Sequence, residues 1–422
     1  MSWTTRTLGE ICDEGKGFIR TGPFGSQLHE SDYSDEGTPV VMPKDIIEGK
    51  VSENSIARVS EQHIERLAQH KLLTGDIVYG RRGDIGRQAL ITRKESGWLC
   101  GTGCLRISLG NSPLDAMFLH YFLRDAGVID GIARQAVGAT MPNLNTSILR
   151  SIPITYPPIS TQRRIASVLS AYDDLVVNNM RRIQILKEMA RQIYEEWFVR
   201  FRFPGHETIG MTESELGLIP DGWGVVRLED QYKTGSGGTP SRRNPAFYGG
   251  NINWVKTQEL NDGFIFESDE KITLDGLNNS SAKVFSTGSV LVAMYGATIG
   301  ALGILANPSS TNQACCAIIK RREPFGFEFA FLTLLVNRSK LIELRAGAAQ
   351  QNINQVVIKN FKMMKPDDGT VSAFNHLVNP ILKQISMLQK KTDILRRTRD
   401  LLLPKLISGE IGVSNFPEPV SH

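Results

Sequence analysis

Apolar residues recur at alternating steps of four and three through two long stretches of this chain. The first seam reads Ile165, Leu169, Tyr172, Val176, Asn179, Ile183, Leu186, Ala190, Ile193 and Trp197. The second reads Phe374, Val378, Ile381, Ile385, Leu388, Thr392, Leu395, Arg399, Leu402 and Leu406. A period of about 3.5 residues is that of a coiled coil, so both stretches predict long helices whose stripes face a partner helix. Two ordinary amphipathic helices, each packed on its own domain, are the alternative. Pro380 and Pro404 are expected to kink or end the second helix. Elsewhere the pattern shortens. Runs such as DIVYG, RQALI, SVLVAMYG and CCAIIK, bounded by Gly, Pro and Asn, predict strands and turns. FLHYFLRDAGVIDGIARQ and FEFAFLTLLVNRSKLIELR predict amphipathic helices among them.

The second seam lies 209 positions after the first, and so does much else. GATMPNLN around Gly138 returns as GAAQQNIN around Gly347 (347 − 138 = 209), carrying Asn143 to Asn352, Leu144 to Ile353 and Asn145 to Asn354. Upstream the register drifts as loops of unequal length would make it: Gly75 corresponds to Gly288, Gly83 to Gly296, and Trp3 to Trp223. A period this long is a duplicated domain rather than a solenoid repeat. Each copy therefore holds a β-rich module followed by a long helix. Two divergent copies of one module suit a target with two related but unequal ends.

Connectivity adds geometry. The first helix leaves the first module and leads to the second, so a helix that pairs with it and leaves the second module must run antiparallel. This predicts an α+β chain: two repeated mixed α/β modules with twisted sheets, separated by two long antiparallel coiled-coil helices about a pseudo-twofold. The first seam spans ~48 Å at the helical rise, or roughly 14 base pairs of B-DNA, so the helices read as a ruler.

Composition changes this picture little. The 422 residues, 41% of them hydrophobic, are enough for two or more domains. A net charge of +4 permits an acidic partner without demanding one, so any nucleic-acid surface must be local. The opening MSWTTRTLGEICDEGKG is polar, unlike a signal peptide. Val284 to Ile319 holds no charge, but Gly288, Gly296, Gly300, Gly303 and Pro308 break it, and its counterpart in the first copy is charged. It reads as buried strands rather than a membrane span. Cys12, Cys100, Cys104, Cys315 and Cys316 lack metal-site spacing and read as buried free thiols of a reducing cytosol.

Catalytic patterns are weak. No GxxxxGK[ST] loop is present, and GPFGS and GSGGTPS read as turns able to hold a backbone phosphate. Asn244-Pro245-Ala246-Phe247 differs by one residue from the Asn-Pro-Pro-Phe type of motif of amino-methyltransferases, without a glycine-rich cofactor motif beside it. Pro220-Asp221 with Asp269-Glu270-Lys271 resembles a nuclease core only as chance triplets do. A self-contained methyltransferase or nuclease, and a scaffold that binds proteins alone, are the rivals to a DNA reader.

Several stretches together resemble the specificity (S) subunits of type I restriction–modification systems: YPPISTQRRIASVLSAYDDLV, EEWFVRFRFPG and LLLPKLISGEI, with the paired module endings and the GGTPS and YGATIG stretches of the second copy. The resemblance covers nearly the whole chain. It implies a non-catalytic, cytoplasmic subunit in which two target-recognition domains each read half of an asymmetric bipartite site on double-stranded DNA. The helices set the spacer and dock two methyltransferase (M) subunits. It implies no cofactor in this chain, with S-adenosylmethionine, ATP and Mg on the M and restriction (R) partners, and no membrane partner. The domains are then residues 1–155 (first recognition domain), 156–204 (central helical spacer), 205–222 (linker), 223–366 (second recognition domain), 367–412 (distal helical spacer) and 413–422 (tail). One departure is GPFGSQL in the first copy against GGTPSRR in the second.

Readers of DNA use cations for phosphates and Arg, Lys, Asn or Gln for base edges. Loop residues of these types are Arg20, Ser26, Gln27, Lys44, Arg81, Arg82 and Arg87 in the first module. In the second they are Arg242, Arg243, Lys256, Thr257, Gln258, Tyr295, Gln350 and Gln351. Positions that differ between the copies are the better specificity candidates. Asn143 and Asn352 match, which suits helix capping as well as DNA contact.

Overall fold

The structure, a computed structural model, describes residues 3–136, 143–344 and 352–416. Both heptad stretches are single helices of 40 residues, Ile159–Phe198 and Asp368–Ile407. Contacts divide the chain into two compact units, Met1–Leu175 with Leu395–His422, and Val176–Ile394. Each unit holds one module together with a part of each long helix.

The two units repeat one plan. In the first, the strand Phe18–Thr21 lies in a four-stranded antiparallel sheet with Cys104–Ser108, Ile77–Gly80 and Gln88–Leu90, in that order. The second unit has the same order in Tyr232–Ser236, Cys315–Lys320, Val290–Ala293 and Leu302–Leu305, with Gly263–Ile265 added at the edge. Ile77–Gly80 and Val290–Ala293 are buried at every residue, which is why their sequences are apolar without alternation. A second, four-stranded sheet is built around Thr38–Val41, parallel to Leu99–Cys100, and in the second unit around Tyr248–Val255, parallel to Ser309–Thr311. The charge-free stretch is thus a set of buried strands, and among the described residues no helix is long and apolar enough to cross a membrane.

Local signals placed the element ends. Gly75, Gly83, Gly288 and Gly296 all have positive φ (90°, 85°, 80° and 85°), so the matched glycines mark matched turns. The caps are Asn145 and Asn354, two residues beyond the matched pair considered above. Their Oδ1 atoms accept from Ile148 N and Val357 N, both at 2.9 Å. The long amphipathic stretch of the first module is two helices, Ala116–Phe122 and Ala126–Gln135, because Asp125 caps the second of them. All five cysteines are free and buried.

Within each unit the long helices run antiparallel. In the first, Ile165 and Leu169 share a core with Leu403, Leu406 and Ile407, while Asp173 meets Arg399. In the second, Phe198 packs on Phe374, with ring centroids 4.8 Å apart, and Ile183 shares the core with Leu388. No residue of either predicted seam is exposed, and Asn179 is only 3% exposed. The second helix does not stop at its prolines. Pro380 and Pro404 lie on its exposed side, where a freed carbonyl is open to water, while buried Val378 and Leu382 hold the two sides of Pro380 in line. Residues 205–222 carry a hairpin, Met211–Ser214 with Gly217–Pro220, where composition suggested only a linker.

One buried histidine is expected to make the first unit acid-sensitive. His120 and Gln88 bond reciprocally: Nδ1 to Oε1 is 3.0 Å, and the Gln88 amide donates to the His120 carbonyl at 2.9 Å. Burial, aided by Arg124, pushes the imidazole down to about 3 from 6.5. The unfolded chain then takes up a proton near pH 6.5 that the folded chain resists, so stability is complete above 6.5 and falls as pH drops toward 3. Urea unfolding between pH 6.5 and 4 is expected to lose about 1.4 kcal/mol per pH unit from this group. His120→Gln should flatten that part of the profile. Buried His70 is shifted the same way and leaves a residual slope.

Candidate nucleic-acid interface

In the first module the candidate loops converge on one short turn, Gly101-Thr102-Gly103. A Cβ on Gly22 would sit 2.1 Å from the Gly101 carbonyl oxygen, so only glycine lets that chain pass. Thr102 Oγ1 donates to the Pro23 carbonyl at 3.0 Å, Gly101 N donates to Val41 O at 2.9 Å, and Arg81 N donates to Gly103 O at 2.8 Å. The segments carrying Ser26 and Gln27, Lys44, and Arg81 and Arg82 are thereby gathered at one end of the sheets.

Asn312-Gln313-Ala314 plays the same part in the second module. A Cβ on Gly237 would lie 2.0 Å from Thr311 O. Asn312 N donates to Val255 O at 3.0 Å, Met294 N donates to Ala314 O at 2.9 Å, and the Thr239 hydroxyl bonds to the Gln313 side chain. Arg242, Arg243, Lys256, Thr257, Gln258 and Tyr295 lie on the segments so gathered. Thr102 and Gln313 belong to no motif of their own, and each stands two residues before a cysteine, Cys104 and Cys315. The match of those cysteines across the copies is the signal in the sequence that marks both residues.

One turn is built twice with different tips. Thr38–Val41 runs into the helical turn Pro43–Asp45, closed by Met42 N donating to Asp45 Oδ2 at 2.9 Å. Tyr248–Val255 runs into Thr257–Glu259, closed by Lys256 N donating to Glu259 Oε2 at 2.5 Å. Burial raises both closing carboxyls above the usual range. The exposed residue between cap and carboxylate is Lys44 in one unit and Gln258 in the other. Backbone is thus common and the projecting group is not.

Several candidates are engaged within the protein. Arg81 donates through Nε to Leu144 O at 2.8 Å, while Leu144 N donates back to Arg81 O at 2.9 Å, so its guanidinium is a strut holding the module's closing segment. Arg87 is paired with Asp84 at 2.5 Å. Arg242 is bidentate to Glu270, with one contact at 2.8 Å, and lies 4.2 Å over the Tyr248 ring. Lys256 Nζ reaches the same carboxylate at 3.4 Å, and Arg242 ahead of Lys256 holds Glu270 below its ordinary value. Gln27 Oε1 accepts from Phe24 N at 3.0 Å, shaping its own loop. Arg20 lies 4.3 Å over the Phe18 ring and is exposed. Ser26, Lys44, Arg82, Arg243 and Gln258 are exposed, Thr257 is half-buried, and Tyr295 packs partly on the core. Gln350 and Gln351 lie outside the described residues.

A family model described as the type I restriction modification DNA specificity domain matches residues 1–188 and again 220–395. The chain belongs to that family. It is 28% identical over 304 residues to the type I restriction enzyme MjaIX specificity subunit of Methanocaldococcus jannaschii, covering 71% of this chain and 70% of that one. It is 23% identical to the HindI specificity subunit of Haemophilus influenzae, covering 87% and 93%. The fold is shared with the S subunit of a type I restriction–modification system from M. genitalium, with a TM-score of 0.60, 15% identity and 96% of each chain covered. The two matched stretches are the two copies recognised in the sequence, so the repeat is a repeat of specificity domains.

Proposed function

We propose that this chain is the DNA specificity subunit of a type I restriction–modification complex, each module reading one half of a bipartite site with the loops gathered at its turn. The observation that carries this reading is the duplicated scaffold with unlike tips: Lys44 against Gln258, Thr102 against Gln313, and Arg82 against Tyr295. A common backbone presents two cations and a hydroxyl in one module, and two amides and a phenol in the other. Such groups pair with different base edges and phosphates. In that role the long helices set the spacer of the bipartite site and offer docking faces to two M subunits. On this reading S-adenosylmethionine, ATP and Mg are bound by the M and R partners, the chain itself is non-catalytic, and the complex works in the cytoplasm.

Mapping methylated sites in a host carrying this chain and its cognate M subunit tests the reading. Gln258→Ala is expected to relax one half-site by about 10–100-fold in discrimination and leave the other half intact. Lys44→Ala should act on the opposite half alone. Equal loss at both halves in either variant, or methylation by the purified chain without partners, would defeat the proposal.

A further inference from the structure

The two long helices are copies of one another, yet they pair through unlike contacts in the two units. Asp173 of the first helix is 13% exposed at its side chain and accepts from Arg124 Nη1 at 2.9 Å and Tyr121 Oη at 2.8 Å. Arg399 of the second helix, 12% exposed at its side chain, bonds to its other oxygen. A shift of 209 converts these facing positions into Leu382 and Ala190, which are 2% and 1% exposed in the second unit. Tyr121 and Arg124 correspond there, at the shift of 211 that relates Cys104 to Cys315, to Leu332 and Leu335, which line a cavity of about 240 Å³ with Ala190 and Leu382. A second difference lies further along the pair. Phe374 is boxed by Tyr194, Trp197 and Phe198, with centroids 6.0, 5.8 and 4.8 Å away. Its counterpart in the first unit, Ile165, shares a core with Leu403, Leu406 and Ile407.

We infer that the Asp173–Arg399 contact makes the two helices non-interchangeable, so that the first pairs with the second and not with a first helix of another copy of this chain. If first helices of two copies paired in the same register, Asp173 would face Ala190. It would keep Arg124 and Tyr121, which travel with it, and lose Arg399. If second helices paired, Arg399 would face Leu382 and keep only its neighbour Asp400, now 2.8 Å away. A guanidinium would then be held in the seam without its buried acceptor. Each loss occurs twice in a symmetric pair, and Phe374 would exchange its aromatic box for aliphatic neighbours. Removing one partner of a buried ion pair costs more than replacing both by apolar groups. The contact therefore acts against mispairing more than it stabilises correct pairing. The consequence for target choice rests on the DNA reading above: one module of each kind per complex keeps the recognised site asymmetric.

Full-length variants reproduce each mispaired contact inside one chain. Arg399→Ala sets alanine opposite Asp173, and Asp173→Leu sets leucine opposite Arg399. The double variant makes this position of the first unit match the second unit. In thermal unfolding each single change is expected to lower the midpoint by roughly 4–10 °C, while the double change recovers at least half of the summed loss. Singles without effect, or a double variant as damaged as the sum, would overturn the inference. If a single variant does not fold, Asp173→Asn and Arg399→Gln read the same coupling with shape kept. Full-length chains bearing tags of two masses, refolded together and weighed by native mass spectrometry, read the pairing directly. More mixed dimers in the double variant than in the wild type support the inference, and equal fractions sink it. Neither measurement involves DNA, so failure of the DNA reading would show separately in methylation mapping.

Discussion

Asp76→Ala is expected to cost about 3–5 kcal/mol of folding stability. Asp76 follows the positive-φ turn at Gly75, and its Oδ2 accepts from Leu73 N at 2.7 Å and from Arg106 Nε at 2.6 Å. The Arg106 and Asp76 side chains are 7% and 4% exposed, so alanine would leave a guanidinium buried with only the Phe18 ring, 4.8 Å away, and the Gln69 carbonyl, 3.4 Å away. The second unit provides the control. Its counterparts are Ser289 and Ala317, which form no ion pair, so Ser289→Ala should stay within about 1 kcal/mol. Urea unfolding of the full chain measures both. Asp76→Ser combined with Arg106→Ala, which copies the second unit, should recover much of the loss. A benign Asp76→Ala would show that Arg106 escapes to water.

Phe374→Ala is expected to cost a similar 3–5 kcal/mol, by a different route. Phe374 is fully buried and touches Tyr194, Trp197 and Phe198 of the first helix and Phe329 of the second module. It thus joins both helices and the module in one core. Alanine there leaves a cavity among rigid rings that cannot close around it, and edge-to-face contacts are lost besides. Phe374→Leu, which fills most of the space, should cost less than half as much. Comparable losses for leucine and alanine would point to the ring contacts rather than to volume.

The two effects show where sequence reading reaches and where it stops. The 209-residue shift identified both long helices and the facing stripe of each, because the heptad period is a property of consecutive residues. Matching glycines located the turns, because positive φ is a demand on a single residue. Arg399 stood out only as a polar break in the second seam. Its partner Asp173 lies 226 residues away in the chain, on a position outside the seam. Asn145 and Asn354 were in the matched frame, but which asparagine caps depends on where the helix begins. Local geometry makes Pro380 a residue expected to kink or end the helix, yet the helix runs on through it, with Val378 and Leu382 buried on either side.

The candidate interface divides in the same way. Lys44 and Gln258 were visible as exposed polar types near turns. That they occupy one position on a common turn was not visible, because the loops between matched strands differ in length. Arg81 and Arg242 have the right chemistry for DNA, yet neighbours claim them: a carbonyl for one, a carboxylate and an aromatic face for the other. Composition cannot register such internal claims, since they depend on segments brought together from across the module.

The sequence by itself therefore determined the duplication, the helical period and the turn glycines, all of which are written in neighbouring residues or in a fixed repeat. Only the tertiary structure decided which loops gather at Gly101–Gly103 and Asn312–Ala314, and which charges project from them. It also decided that the two long helices meet through an ion pair in one unit and through aromatic rings in the other. Those outcomes depend on burial and on contacts between distant residues, where removal from water sets the energy of a charge or a ring.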